Sequence, residues 1–170
     1  MGERTYDHLK KAVEDLQRLS PQELLSYWIQ NELKLAETCR SLSNYAKEVR
    51  WGGNDASNLC ERLAELSVET AEKLMAEYRK RFGTSELSPP TNVEPIELLL
   101  SLKDLKRTLK TGRIEDVIKT LLETQRVMHE IYSSLTSKTS DEDLSELFSA
   151  LSELSRRRYS TLKEMLERTQ

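Results

Sequence analysis

Proline and glycine are scarce here, with four Pro and five Gly in 170 residues. A chain this poor in turn-formers cannot supply the punctuation of a sandwich or barrel, and helix-forming Leu, Glu, Lys and Arg dominate instead. Two cysteines, Cys39 and Cys60, are too few for a disulfide framework and fit no zinc spacing, so both are read as small buried hydrophobes. Histidine occurs only at His8 and His129. No apolar run approaches the roughly 20 residues that cross a bilayer, and the opening Met1 to Asp7 lacks a signal peptide's apolar stretch. A soluble, cytoplasmic protein without membrane association is expected. The net charge of −3 gives no general electrostatic reason to bind nucleic acid, and the runs Arg79-Lys80-Arg81 and Arg156-Arg157-Arg158 are short enough to be solvated helix faces. Phosphate loops, nucleophile elbows and metal-protease motifs are missing, and no catalytic residue is assigned.

What is present is helical periodicity from end to end. Leu9, Ala12, Val13, Leu16 and Leu19 give a leading helix over 5–19. Ser20-Pro21-Gln22-Glu23 combines an N-cap serine, a first-turn proline and a glutamate three residues on, a capping box that opens a helix over 21–49. A second long helix is predicted over 55–82 with Gly83 as its cap. Thr84 to Pro95 is the linker, Pro95 to Lys110 reads as a connecting helix, and 84–112 together form a long crossover. Helices over 114–137 and from the cap Ser140-Asp141-Glu142-Asp143 to 168 complete the chain. The fold class is all-α, a single helical domain over 1–170, with four long helices of 21–168 joined up-down by short turns and one crossover.

Each long helix carries polar residues midway along its apolar stripe: Glu32 on the first, Ser67 and Thr70 on the second, Gln125 on the third, Ser155 and Arg158 on the fourth. Buried polar groups cost about 1–3 kcal/mol when unsatisfied, so interruptions at one height imply mutual satisfaction. The halves also repeat. Leu63-Ala64-Glu65-Leu66-Ser67 matches Leu151-Ser152-Glu153-Leu154-Ser155 at an offset of 88, and Glu32, Cys39 and Leu42 align with Gln125, Tyr132 and Leu135 at an offset of 93.

Asn31-Glu32-Leu33 with Ala36, Leu63-Ala64-Glu65-Leu66 with Ala71-Glu72-Lys73-Leu74, Ile131-Tyr132 with Leu135, and Leu147-Phe148 with Leu151 give a chain that resembles the ferritin-like superfamily, in its rubrerythrin-type branch. The resemblance implies a four-helix bundle with extra short helices. It also implies a di-iron ligand set of two single Glu and two Glu-x-x-His pairs. Those positions fall at Glu32, Gln125, Ser67 with Thr70, and Ser155 with Arg158, where only Glu32 keeps the ligand type.

The function expected from this is a non-catalytic bundle acting as a structural or interaction module, by self-association or by docking to another protein, with no cofactor. The alternative is an iron- or manganese-binding oxidoreductase with a non-standard site near Glu32 and His129, although His129 also suits a boundary residue that caps the polar interior. Docking of nucleic acid on the leading helix and Arg79-Lys80-Arg81 is a third, less favoured reading. At the degenerate site Arg158 is expected to reach inward, pair with Glu32 and touch Gln125. Leu63, Leu66 and Leu151 are expected in the core beside Trp28, Leu35, Leu121, Met128 and Leu162, and Trp51 is expected to pack as a turn residue.

Overall fold

A computed structural model describes residues 2–48, 53–93 and 114–169. The described residues are all-α: α1 (Gly2–Gln17), α2 (Pro21–Glu48), α3 (Gly53–Phe82), α4 (Ile114–Lys138) and α5 (Glu142–Thr169). None of these helices is long and apolar enough to cross a membrane. Trp51, the connecting helix of 95–110, most of the crossover and the side chains of His8, Leu9, Ile114 and Met165 lie outside the described residues.

The helix ends follow from local chemistry. At the start of α2, Glu23 N–H donates to Ser20 Oγ at 3.2 Å while Ser20 N–H donates to Glu23 Oε1 at 3.3 Å, a reciprocal capping box that satisfies two otherwise orphaned donors. Asp141 caps α5, its Oδ1 accepting from Leu144 N–H at 3.1 Å. α3 stops at Gly83, whose φ of 66° is a left-handed conformation that costs a residue with a Cβ about 1–2 kcal/mol.

The chain divides into two compact units. One, Leu19–Val93, is the α2–α3 hairpin with the linker that follows it. α2 and α3 are antiparallel: Ser43 Oγ lies 2.9 Å from Ser57 Oγ near one end, and Gln22 Nε2 donates to Tyr78 Oη at 2.9 Å near the other. The linker is fastened to this hairpin. Tyr78 Oη donates to the Glu86 carbonyl at 2.7 Å, and Ser88 N–H donates to Ser26 Oγ at 2.9 Å. The other unit, Met1–Arg18 with Glu94–Gln170, contains the antiparallel α4–α5 hairpin, with α1 packed on α4. There Ser145 Oγ donates to the Thr136 carbonyl at 2.8 Å.

The two hairpins bury corresponding residues. At the offset of 93, the buried Leu25, Trp28, Ile29, Glu32, Leu35, Cys39 and Leu42 of α2 correspond to the buried Ile118, Leu121, Leu122, Gln125, Met128, Tyr132 and Leu135 of α4. At the offset of 88, the buried Cys60, Leu63, Ala64, Ser67, Thr70 and Leu74 of α3 correspond to Phe148, Leu151, Ser152, Ser155, Arg158 and Leu162 of α5. Even the end contacts obey these offsets, since Ser43 and Ser57 map onto Thr136 and Ser145. A repeated helical hairpin accounts for matches in sequence, burial and contact together.

The apolar periodicity places Leu25, Trp28, Ile29, Glu32, Leu35, Ala36, Cys39, Leu42 and Ala46 on the inward stripe of α2, all of them buried, but of the leucines that the same periodicity turns inward on the other helices Leu66, Leu147 and Leu154 are only half-buried. Leu66 precedes Ser67, and a helix turns about 100° per residue, so the small Ser67 occupies the fully inward direction and Leu66 falls to the flank. Leu63→Ala should therefore cost about 2–5 kcal/mol in urea unfolding, through lost burial and a residual cavity, and Leu66→Ala clearly less. Equal losses at both positions would show that the α3 face has been assigned wrongly.

Candidate functional site

The predicted polar residues all occupy inward positions. Glu32 is 1% exposed, Gln125 3% and Arg158 4%, and Ser67, Thr70 and Ser155 are equally buried. Register explains which of them share a level. Eleven residues from the Ser43–Ser57 contact, α2 reaches Glu32 and α3 reaches Val68, between Ser67 and Thr70. The same count from the Thr136–Ser145 contact leads to Gln125 on α4 and to Arg156 on α5, between Ser155 and Arg158. Each hairpin thus carries its own polar level.

Within the α2–α3 level, Thr70 Oγ1 donates back to the Leu66 carbonyl at 2.8 Å, so this hydroxyl is satisfied inside its own helix. The α4–α5 level differs. Gln125 Oε1 has no hydrogen-bonding partner among the described residues, so the anticipated polar contact from Arg158 to that oxygen is not made. Arg158 also departs from one of its two sequence readings. Arg156 and Arg157 are exposed and gather around Glu153, whereas Arg158 is buried, so the basic run is split by helical phase.

His129 is half-buried on α4 and bonds to α5. Its Nδ1 lies 3.0 Å from the Ser152 carbonyl and 3.0 Å from Ser152 Oγ, which in turn lies 2.7 Å from Ser133 Oγ. The carbonyl oxygen only accepts whereas the Ser152 hydroxyl can donate or accept, so the direction of these two contacts follows the tautomer of the ring. The small polar chain His129–Ser152–Ser133 escaped sequence reasoning. The serines are individually unremarkable, and only the antiparallel register brings residue 152 beside 129 and 133.

A ligand set shifted along the helices would have to draw on Glu61, Glu65, Glu69 or Glu123, and all four are exposed. Glu61 is held below the usual carboxylate range first by its hydrogen bond from Lys47, and Glu123 likewise by Arg126. Arg156 beside Glu153 pulls that carboxyl down to about 2. Among the described residues no three His, Cys, Asp or Glu side chains are grouped so as to hold a metal ion. The donors on the two polar levels are one carboxylate, hydroxyls, an amide and a guanidinium, a set that does not fit the di-iron centre implied by the resemblance. On the α2–α3 hairpin, Arg40, Ser43, Asn44, Glu61, Ala64 and Glu65 line an open surface pocket of about 350 Å³.

No family model matches the chain, and no curated protein or solved structure matches it in comparison.

The buried amide yields a direct test. Gln125→Met keeps the side-chain length and removes an oxygen that lacks a hydrogen-bonding partner among the described residues, so it should stabilise the protein by about 1 kcal/mol in chemical denaturation. A loss of more than about 1 kcal/mol would instead reveal that Gln125 is bonded in solution.

Proposed function

We propose that this protein is a non-catalytic helical module of ferritin-like, four-helix type that acts by interaction, through self-association or docking to another protein. The observation that carries the reading is Arg158. At 4% exposure, a side chain that stays protonated occupies the position where the resemblance would place an imidazole ligand. A fixed guanidinium there opposes a nearby metal cation, and its equivalent in the other hairpin, Thr70, offers only a hydroxyl already bonded to its own helix. The corresponding buried stripes of the two hairpins further support a duplicated bundle frame kept for its shape.

Metal analysis of untagged protein, grown in iron- and manganese-replete medium, tests this directly. The expected result is far less than one equivalent of either metal, with a sedimentation profile that shifts with protein concentration if the module self-associates. Stoichiometric iron or manganese, lost on Glu32→Gln or His129→Ala, would overturn the proposal in favour of a metal-dependent oxidoreductase.

A further inference from the structure

The only two cysteines of the chain fall in the same hairpin, both as thiols and both buried, Cys39 at 1% exposure on α2 and Cys60 at 2% on α3. They also fall at the same level. Cys39 lies four residues before Ser43, and Cys60 three residues after Ser57, counted from the pair whose hydroxyls meet at 2.9 Å. The other hairpin supplies an independent gauge of what such positions do. At the repeat offsets, Cys39 and Cys60 correspond to Tyr132 and Phe148, whose rings stack with centroids 6.4 Å apart. Large side chains at these two positions reach each other across a hairpin of this register, which puts the two cysteines on facing sides of the α2–α3 seam.

We infer that Cys39 and Cys60 are a reversible disulfide pair, oxidised by exchange with a small-molecule disulfide such as oxidised glutathione. In the first step the thiolate of one cysteine attacks a sulfur of the small disulfide, forming a mixed disulfide and releasing one small thiolate. The second cysteine, deprotonated, then attacks the protein-bound sulfur, forming the Cys39–Cys60 bond and releasing the second small thiolate. Two protein thiols are oxidised, one small disulfide is reduced to two thiols, and the two protons end on those released thiols.

The environment shapes both the product and the rate. A disulfide is neutral and suits a buried place better than two thiolates do. Burial pushes the Cys60 thiol up to about 11, so in the closed hairpin it is overwhelmingly protonated and a poor nucleophile. Exchange must then proceed through transient separation of α2 from α3, and the bond once formed is sheltered from reduction when the two helices pack again. Such a bond would staple the two helices near their connected ends and link the stability of this hairpin to the surrounding thiol–disulfide balance.

The full-length chain should be equilibrated in buffers of graded reduced-to-oxidised glutathione ratio, acid-quenched, alkylated and mapped without reduction. The expected product is a monomer containing a Cys39–Cys60-linked peptide pair, lighter by two hydrogens, reversed by dithiothreitol, and with a thermal midpoint raised by roughly 5–10 °C. Cys39→Ala and Cys60→Ala should each abolish the linked pair, a covalent readout that does not depend on their effect on stability. Glutathione adducts alone, disulfide-linked dimers alone, or a linked pair that forms only in urea would each overturn the inference.

Discussion

The registration of two antiparallel helices decides almost everything that can be said about either hairpin. Ser43 sets it in the first: its hydroxyl donates to the Ser57 carbonyl at 3.1 Å and also meets the Ser57 hydroxyl, both in a buried setting where an unmade hydrogen bond would be costly. Ser145 and the Thr136 carbonyl do the same in the second. With those ends pinned, the rise of the helix determines which residues share a level: Glu32 with Ser67 and Thr70, Gln125 with Ser155 and Arg158, Cys39 with Cys60. A slip of one turn would separate each of these sets while leaving every helix intact.

This dependence explains what was legible in the sequence. Helix limits were legible because they rest on neighbours in the chain: the Ser20–Glu23 box, the left-handed Gly83 and the Asp141 cap all act over three or four residues. The inward stripes were mostly legible because periodicity is local too. They failed at Leu66, Leu147 and Leu154, where two neighbouring residues competed for one inward direction and the following residue, Ser67, Phe148 or Ser155, took it. Arg158 was readable both as part of a basic run and as part of a stripe, and helical phase decided between them. The polar chain His129–Ser152–Ser133 and the lack of a partner for Gln125 Oε1 among the described residues were not legible, because both depend on the packing of one helix on another.

The repeat adds a second line of argument about function. Duplicated hairpins begin with equivalent interiors, so differences at equivalent positions record what each half needs. At most buried positions the substitutions conserve apolar character, as in Trp28 against Leu121 or Leu63 against Leu151. At the polar level they do not conserve charge: Glu32 stands against Gln125, and Thr70 against Arg158. One half therefore holds a buried carboxylate and the other a buried guanidinium. Purely structural drift would remove such charges, since an apolar replacement of similar volume avoids desolvating an ion.

Each hairpin thus sets one buried charge inside an otherwise apolar stripe, Glu32 in the first and Arg158 in the second. Taking an ion out of water costs several kcal/mol, and each charge sits on a small polar level of its own hairpin, Glu32 with Ser67 and Thr70, Arg158 with Gln125 and Ser155. Under the function proposed above, the guanidinium takes the place of a metal ligand, and the stripes of leucine, isoleucine and aromatic residues define the shape of each hairpin.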